Sequence, residues 1–415
     1  MKIQLFVPPS FYYGDVQFKM LPTLGLPILA SVLNQAGHHT EVVDLEAHGV
    51  TPPKLRETFR MQYGRWPDVV GFTGLNGGAR GIKDCITELR AAGFAGRIIV
   101  GGAWATHSPG AAISFGADLV VTGECEGNIA ELLETGAQGI QPGKPAPIET
   151  IPAPDWTHFS PDITTYYGNM AMLRPNPGIT MWTRGCPYQC IFCSNNVFNH
   201  RPTRYRPPEN IEAEMAELKR RKIKRVYVYD DELIGTKMPD GWMADVADRV
   251  GPMGFYMVTQ GRCSKKYVIP ETMRDVKRAG IHTVFWGVES FSPRVLHAMK
   301  KHTTPVDIWH TLRTAKDAGV KNGLFMMIGN YQEADEDAMI TAEGLEKAYK
   351  EGLVDYRQST VCTVMEGTEL EAIQKREGWY KAPEFAGRDL RKAYGTPWLS
   401  ASRIDYWQRK FDQVC

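Results

Sequence analysis

Three cysteines stand close together near the middle of the chain, within TRGCPYQCIFC at residues 183–193. Cys186, Cys190 and Cys193 are separated by three and then two residues, and they follow a short extended run at residues 178–185. Three thiolates at this spacing can each bind one iron of a [4Fe–4S] cluster, which leaves the fourth iron without a protein ligand. An open iron position allows a cluster to bind and reduce a substrate. The spacing therefore predicts a cluster that does chemistry.

A zinc site is the alternative for the same three thiols. Structural zinc requires four ligands, usually cysteine or histidine, and His200 is the nearby candidate for the fourth. The residues farther along the chain favour the cluster.

A second group of candidate residues follows the predicted strands of the second half of the chain. Its members are Asp230, Asp231, Glu232, Arg262, Glu289, Ser290, Met327 and Ile328. Carboxylates suit an ammonium group, and the fork of a guanidinium suits a carboxylate. Alone, each residue also has an ordinary interpretation, such as acids in the first turn of a helix, a surface arginine or apolar core. Their succession at consecutive strand ends favours a binding site.

Strands and helices must alternate to position these residues. From residue 178 onward the predicted strands are 178–185, 225–233, 254–262, 283–290, 323–330 and 356–364. The predicted helices are 208–221, 241–250, 270–280, 292–301, 306–319 and 333–352. Six such units are fewer than the eight of a closed (β/α)8 barrel. The pattern therefore predicts a partial barrel.

The first part of the chain shows the same alternation. Apolar runs at 2–8, 39–45, 68–74, 96–102 and 118–124 predict strands, and residues 24–37, 52–63 and 81–93 predict helices. This order predicts an α/β fold with a doubly wound parallel sheet, in which ligands bind beyond the carboxyl ends of the strands. Residues at those ends are Pro9, Ser10, Thr73, Gly74, Leu75, Asn76, Gly101, Gly102, Ala103, Trp104, Gly123, Glu124 and Glu126. Glycine there allows a large flat ligand to approach the backbone.

The cysteine motif resembles that of the radical S-adenosylmethionine (radical SAM) superfamily, including Phe192 before the last cysteine. The resemblance implies that SAM binds the open iron and is cleaved by one electron to a 5′-deoxyadenosyl radical. It also implies SAM contacts for Phe192 and for the strand-end residues named above. The acids at 230–232 would hold the amine, Arg262 the carboxylate, Glu289 and Ser290 the ribose, and Met327 and Ile328 the adenine.

The segments PPSFYYG, LGLPILASVLNQAGH, PDVVGFTG, VVGGAWAT and VVTGECEGN resemble the cobalamin-binding domain that precedes many radical SAM barrels. This resemblance implies that the residues at the first set of strand ends bind cobalamin. The sequence has no Asp-x-His-x-x-Gly, the motif that supplies a histidine to cobalt in other cobalamin proteins. The alternative is a domain that kept the fold and lost the cofactor.

Four segments follow from these assignments. We expect a cobalamin-binding-like domain at 1–140, a proline-rich linker at 141–177, a radical SAM partial barrel at 178–370 and a short helical extension at 371–415. The combination implies cobalamin-dependent methylation of an unactivated carbon or phosphorus centre. Alternatives are a radical SAM oxidoreductase, cyclase or rearrangement enzyme without methyl transfer, and a non-catalytic corrinoid- or zinc-binding module.

The composition narrows the classes of binding partner that we expect. With 48 Lys and Arg against 47 Asp and Glu, the formal net charge is +1, which gives no electrostatic basis for binding nucleic acid or a membrane surface. No stretch has the length of a signal peptide core or a membrane span. Three clustered and five scattered cysteines suit a reducing cytoplasm. We expect a small-molecule or peptide substrate and an external one-electron reductant of the flavodoxin or ferredoxin type.

Overall fold

The computed structural model describes residues 1–9, 21–50, 54–55, 66–74, 78–168, 170–198, 202–381 and 394–414. The chain divides into two compact units. The first extends from Met1 to Thr180 and also includes Ala216–Arg225. The second is built mainly from Met181–Asn196 and Val226–Cys415.

The first unit contains a seven-stranded sheet in the order β6-β5-β4-β3-β1-β2-β7, with every neighbouring pair parallel. Its strands are β1 Lys2–Val7, β2 His39–Asp44, β3 Val69–Thr73, β4 Arg97–Gly101, β5 Leu119–Thr122, β6 Gly139–Pro142 and β7 Phe159–Ser160. Its helices are α1 Gly25–Gln35, α2 Ala79–Ala91, α3 Gly102–His107, α4 Pro109–Ser114 and α5 Ile129–Glu134. The central strands are apolar on both faces, as in a parallel sheet covered by helices. The doubly wound parallel sheet is therefore confirmed.

Residues 141–177, for which we expect a proline-rich linker, contain several short elements of secondary structure. Strand β6 overlaps the start of this segment, β7 adds a further strand to the sheet, and short 3₁₀ helices cover Ile148–Thr150, Ile163–Thr165 and Ala171–Leu173. The hydroxyl of Tyr166 donates a 2.5 Å hydrogen bond to Asp44 in the buried interior. The prolines therefore shape an ordered part of the first unit. The helix predicted at 52–63 lies almost entirely outside the described residues.

The second sheet has six strands in the order β15-β14-β13-β12-β11-β8. Its strands are β8 Pro177–Thr180, β11 Arg225–Val228, β12 Tyr256–Arg262, β13 Ile281–Glu289, β14 Lys321–Ile328 and β15 Tyr356–Val361. A small antiparallel pair, β9 Thr183–Arg184 and β10 Arg204–Tyr205, lies outside it. Strands β12 to β15 pair in parallel. The sheet confirms the predicted partial barrel, with all six strands at the predicted places.

Helices follow the strands of this sheet: α6 Asn195–Phe198, α7 Pro208–Arg220, α8 Trp242–Val250, α9 Pro270–Arg278, α10 Pro293–Ala298, α11 Pro305–Asp317, α12 Asp335–Lys350, α13 Glu369–Arg376 and α14 Ala401–Gln413. Several begin with proline, which lacks the N–H that would be unpaired in a first turn. Thr304 and Asp307 form a capping box at the start of α11. None of the helices in the described part of the chain combines the length and apolar character that a membrane span requires.

Candidate functional site

The cysteine loop leaves the second unit's sheet region after β9 and is held by backbone hydrogen bonds. The N–H of Cys193 donates to the carbonyl of Cys190 (3.1 Å), which closes a turn. The N–H of Ile191 donates to the carbonyl of Met299 (3.1 Å), and its carbonyl accepts from Leu370 (2.9 Å). Two distant parts of the second unit therefore fix the middle of the loop.

The three cysteines of this loop stand outside disulfides. Cys190 is buried, and Cys186 and Cys193 are half-buried. Burial raises the pKa of Cys186 to about 12 and that of Cys193 to about 11. Metal coordination reverses this preference, because a coordinated thiol loses its proton outright. The loop thus holds three buried or half-buried thiols that a metal centre would convert to thiolates.

No three Cys, His, Asp or Glu side chains of the described residues converge on one point as the ligands of a single metal ion do. In a [4Fe–4S] cluster each thiolate binds a different iron. His200, the fourth ligand that a zinc site would need, lies outside the described residues.

Asp230 follows β11 and supports the start of the cysteine loop. Its carboxylate accepts hydrogen bonds from the N–H of Trp182 (2.7 Å) and from the hydroxyl of Thr183 (2.8 Å). The side chain is buried, and burial raises its pKa to about 7 although these donors favour the ionised form. Both oxygens are engaged within the protein. Its contact with the amine of SAM stays a prediction.

Asp231 supports the same loop from the next position. One oxygen accepts from the N–H of Gly185 (2.8 Å), a glycine with a φ of +95°, and the other from the side chain of Asn195 (2.9 Å). Gly185 directly precedes Cys186 and Asn195 lies two residues beyond Cys193. Asp231 therefore ties together the two ends of the loop, a positioning role that was not predicted.

Arg262, the last residue of β12, reaches the thiols. Its Nη2 donates to Sγ of Cys190 (3.1 Å), its Nη1 donates to the carbonyl of Lys301, and its guanidinium lies 3.6 Å from the ring centroid of Tyr188. Burial lowers the pKa of Arg262. The nearby negative charges, including those of Cys190 and Glu232, have the larger combined effect and raise the pKa, so the side chain stays charged. Its contact with the SAM carboxylate is untested.

Glu232 lies against the backbone of Arg262. Its Oε1 accepts from the N–H of Arg262 (2.9 Å), and its Oε2 lies 3.7 Å from Nε of the same residue. Burial raises the pKa of Glu232 to about 7 despite this cation. A buried carboxylate beside the thiols would suit a cationic ligand group.

A buried lysine completes this group of charges. Nζ of Lys301 lies 3.0 Å from Glu289 and 5.8 Å from the ring centroid of Phe192. Burial lowers the pKa of Lys301, but the charge and hydrogen bond of Glu289 together with the nearby Cys190 raise it overall. A Cβ on Gly287 would stand 2.7 Å from Nζ, so a side chain there would displace the end of Lys301. Sequence reasoning missed Lys301 because it lies in a loop between two helices with no chemical pattern.

Glu289 ends β13 in an unusual conformation. Its φ is +63°, and the register between β13 and β14 shifts between Gly287 and Glu289. A left-handed conformation is costly for a residue with a side chain and clusters at functional sites. It aims the carboxylate at Lys301. The predicted ribose contact of Glu289 stays a prediction.

The remaining predicted SAM residues are not all brought together. Ser290 is buried, and its hydroxyl hydrogen-bonds to that of Thr341 (2.8 Å). Met327 and Ile328 are successive residues of β14, so their side chains point to opposite faces of the sheet. One flat ligand could not contact both side chains. Met327 shares a face with Phe325.

The first sheet presents glycines at the carboxyl ends of its central strands. Gly102 has a φ of +87°, and a Cβ there would stand 2.2 Å from Oγ1 of Thr73. Gly123 has a φ of +76° and open space where a Cβ would be. The N–H of Trp104 donates to the carbonyl of Gly74 (3.1 Å), which joins two strand ends. Such a side-chain-free edge fits a large planar ligand.

Other predicted cobalamin residues have different surroundings. Trp104 is buried and stacks on Phe115 with ring centroids 5.4 Å apart, so its side chain belongs to the core. Pro9 and Glu124 are buried, whereas Gly101, Ala103 and Glu126 are half-buried. Ser10, Leu75 and Asn76 lie outside the described residues. Cobalamin contacts of all these residues remain predictions.

The donor sets fit the two cofactor groups. Three thiols beside the buried cations Arg262 and Lys301 suit a negatively charged thiolate-ligated centre, and the glycine edge suits a corrin. A bound iron–sulfur cluster supplies one electron for reductive cleavage, and cobalamin supplies methyl-group chemistry. The residues described above would hold, orient and shield these groups.

Two family models match the chain. The model of the Radical SAM superfamily matches residues 180–345, and the model of the B12 binding domain matches residues 16–133. The radical SAM match lies mainly in the second unit, and the B12-binding match lies in the first unit.

Curated relatives extend over most of the chain. An uncharacterized methyltransferase of Pyrococcus horikoshii is 25% identical over 401 residues, covering 89% of this chain and 82% of that protein. The hopanoid C-3 methylase of Methylococcus capsulatus is 26% identical over 348 residues, covering 77% of this chain. The match spans 63% of the hopanoid methylase's own length.

A solved structure shares the fold. The radical S-adenosylmethionine methyltransferase TsrM from Kitasatospora setae, with cobalamin and a [4Fe–4S] cluster bound, is 18% identical with a TM-score of 0.69. The alignment covers 92% of this chain and 76% of that chain. At this identity the likeness shows the fold.

Proposed function

Because the chain belongs to the radical SAM superfamily and carries a B12-binding domain before its radical SAM domain, we propose that it is a cobalamin-dependent methyltransferase. As a radical SAM enzyme it uses a [4Fe–4S] cluster and SAM. Its first domain would bind cobalamin. The methyl acceptor that we propose is an unactivated carbon centre. The P. horikoshii and M. capsulatus relatives are named as methyl-transferring proteins, which supports this proposal.

The observation that carries the proposal is the occurrence of both sites in one chain. The second unit holds three cysteine thiols on a loop fixed by Asp230 and Asp231. The first unit holds a glycine edge at the carboxyl ends of β3 to β5. Methyl transfer through cobalamin requires both sites.

The roles of individual residues follow from their contacts. Cys186, Cys190 and Cys193 would bind three irons. Arg262 and Lys301 would stabilise the negative charge of the thiolates, because each carries a buried positive charge beside them. Phe192 and Met327 would offer apolar surface that excludes water from a reactive radical.

Anaerobic incubation tests this function. The full-length protein is reconstituted with iron, sulfide and hydroxocobalamin, then given SAM carrying a CD3 methyl group and a chemical reductant. We expect 5′-deoxyadenosine, S-adenosylhomocysteine and CD3 label in the corrin fraction, all measured by mass spectrometry. Cys193→Ser should remove the 5′-deoxyadenosine, since one iron loses its protein ligand.

Two results would contradict the proposal in different ways. Protein that binds the cluster but takes up no cobalamin excludes the methyltransferase. Protein that forms 5′-deoxyadenosine without S-adenosylhomocysteine supports a radical oxidoreductase or cyclase. Cys263→Ser is the matched control, because Cys263 is a buried free thiol outside the cysteine loop.

Partners and location complete the proposal. Radical SAM enzymes require an external reductant, and we propose a flavodoxin or ferredoxin as the donor and a small molecule or peptide as the substrate. The described cysteines stand outside disulfides, which suits a cytoplasmic location. We propose that the functional segments are 1–140, 141–177, 178–370 and 371–415.

A further inference from the structure

A cleft of about 780 Å³ opens on the surface of the second unit beside helix α10. It combines apolar and basic side chains, and its lining residues are Pro293, Leu296, His297, Ala298, Lys300, His302, Thr303, Thr304 and Gln332. His297, Lys300 and His302 are exposed. Among these described lining residues none is acidic. An apolar centre with polar, solvent-accessible surroundings is typical of protein–protein contact sites.

The segment below this cleft is bonded to the cysteine loop. The carbonyl of Met299 accepts from the N–H of Ile191, the residue after Cys190 (3.1 Å). The carbonyl of Lys301 accepts from Nη1 of Arg262, and Nη2 of the same guanidinium donates to Sγ of Cys190 (3.1 Å). A continuous hydrogen-bonded path therefore leads from the cleft to a thiol of the candidate cluster site.

The backbone around the cleft is strained. Of the six described residues other than glycine that have a left-handed φ, three line the cleft: Lys300 (+53°), His302 (+53°) and Gln332 (+60°). Such conformations cost free energy and cluster at functional sites. Lys301, between the first two, is buried and bonded to Glu289 (3.0 Å), which holds the segment in place. The concentration of strained residues at one surface indicates that this surface has a function.

Positive charge extends from the cleft to a neighbouring loop. Asp307 joins the two, because its Oδ2 accepts from the hydroxyl of Thr304 (2.6 Å) and its Oδ1 accepts from the N–H of Lys265 (2.8 Å). Lys265 and Lys266 are both exposed. Within the described part of the chain, neither lysine forms an ion pair. We call the cleft together with Lys265 and Lys266 the docking surface.

The acids next to the docking surface are already engaged. Asp307 accepts the hydrogen bonds just described, and Glu369 pairs with Lys300 (2.6 Å). The charge without a partner is therefore positive and belongs to Lys265 and Lys266. Exposed charge of one sign speeds association with a protein of the opposite sign and makes that association sensitive to salt.

We propose that the docking surface binds an acidic one-electron donor protein next to Cys190. In the transfer, the flavin hydroquinone of a flavodoxin is oxidised to the semiquinone and the oxidised [4Fe–4S] centre gains one electron, with no bond made or broken. Complexes of this kind are weak and bury less than about 1,200 Å², so a cleft and two lysines are enough for recognition. The inference rests on the part of the proposed function that assigns a protein donor.

Binding of a flavodoxin to the reconstituted full-length protein tests this inference. Association and dissociation rates are measured by surface plasmon resonance without SAM. The ionic strengths are about 0.01 M and about 1 M, where the Debye lengths are about 30 Å and about 3 Å. We expect the double variant Lys265→Glu/Lys266→Glu to slow association at least about 10-fold at low salt and hardly at all at high salt.

Two further variants locate the effect. His297→Glu places an acid in the cleft and should weaken flavodoxin binding in the same direction. Lys224→Glu makes the same change of charge at an exposed position just before β11, in the first unit, and should leave both rates unchanged. Stopped-flow absorbance adds a second measurement. We expect flavodoxin hydroquinone to reduce the double variant more slowly than the native protein, whereas dithionite should reduce both equally fast.

Three results would overturn the docking proposal. The double variant binds flavodoxin and is reduced by it as fast as the native protein, Lys224→Glu slows association as much as the double variant does, or the native protein binds neither a flavodoxin nor a ferredoxin. Failure of the proposed function looks different. In that case the native protein forms no 5′-deoxyadenosine or S-adenosylhomocysteine even when dithionite replaces the protein donor.

Discussion

At the scale of single residues, Arg262 has the most informative contacts. It joins the cysteine loop to the end of β12 through Cys190, Glu232 and the carbonyl of Lys301. A guanidinium that donates to a thiolate stabilises its negative charge. In iron–sulfur proteins, hydrogen bonds to the sulfurs and the local net charge set the reduction potential.

We expect Arg262→Gln to lower the midpoint potential of the reconstituted cluster. Reduction adds negative charge, and the substitution removes a buried positive charge 3.1 Å from Cys190. Arg262→Lys, which keeps the charge but loses the fork geometry, should give an intermediate value. The measurement is a redox titration followed by EPR without SAM.

Arg274→Gln is the control for this prediction, because Arg274 is exposed and pairs with Glu271 on the surface of α9. An unchanged potential in Arg262→Gln with full iron content would show that Arg262 does not influence the cluster.

At the scale of elements, the turn from β4 to α3 shapes the edge assigned to cobalamin. Gly102 follows Gly101, the residue that pairs with Thr73 at the end of β3. The left-handed φ of Gly102 and the 2.2 Å approach to Thr73 are separate reasons for glycine. The left-handed φ would strain the backbone of any residue with a side chain. The short approach to Thr73 leaves no room for a Cβ.

Gly102→Ala should destabilise the first unit more than Gly37→Ala. Gly37 has a similar φ of +85° but nothing within 4 Å of an added Cβ, so its substitution costs only backbone strain, about 1–2 kcal/mol. At Gly102 the clash adds about 1–3 kcal/mol. Thermal unfolding of both variants checks the order, and equal melting temperatures would contradict it.

The turn from β14 to α12 contains a buried carboxylate. Oε2 of Glu333 accepts hydrogen bonds from the N–H groups of Gly329 (2.7 Å) and Asn330 (2.9 Å) and from the side chain of Asn330 (3.1 Å). Its Oε1 has no partner among the described residues. Burial raises the pKa of Glu333 from 4.5 to about 7.

Glu333 should make the protein less stable as the pH rises from 4.5 to 7. In this range the folded state keeps a proton that the unfolded state has released, so its stabilising effect is complete below pH 4.5 and disappears through pH 7. The pKa difference corresponds to about 3 kcal/mol. Urea unfolding of the native chain and of Glu333→Gln across this range should show a difference that changes with pH. Glu336→Gln, at an exposed position of α12, should show none.

At the scale of the whole molecule, the chain consists of two compact units, and each proposed cofactor site is built within one of them. The thiols, Asp231 and Arg262 belong to the second unit, and Gly74, Gly102 and Gly123 to the first. Domains with their own cores can keep their structure when a site elsewhere is removed.

Cys190→Ala should therefore abolish the cluster and leave cobalamin uptake intact. We expect iron and sulfide near zero, no 5′-deoxyadenosine, and a cobalamin affinity within about two-fold of the native protein, since the first unit keeps its own core. Iron analysis and equilibrium dialysis with hydroxocobalamin measure both. Loss of cobalamin together with the cluster would show that the corrin site depends on the cysteine loop.

The sequence by itself determined the elements and the three thiols. Apolar runs bounded by glycine and proline encode parallel strands locally, and the cysteine spacing encodes a local loop. It did not predict β6 and β7, which stand among prolines at residues 139–160, because edge strands are stabilised by a neighbour and carry little pattern of their own.

Only the tertiary structure decided which residues surround the thiols. Cys190 and Arg262 meet across 72 positions of the chain, and Lys301 and Phe192 meet through a loop without a motif. Asp230 and Asp231, predicted to contact the amine of SAM, also hold the cysteine loop through hydrogen bonds. The sequence determines which strand residues alternate between the two faces of the sheet. Which face becomes the interior of the barrel depends on the curvature of the sheet and the packing of its helices. Such long-range contacts follow from how the elements pack, and no local period encodes them.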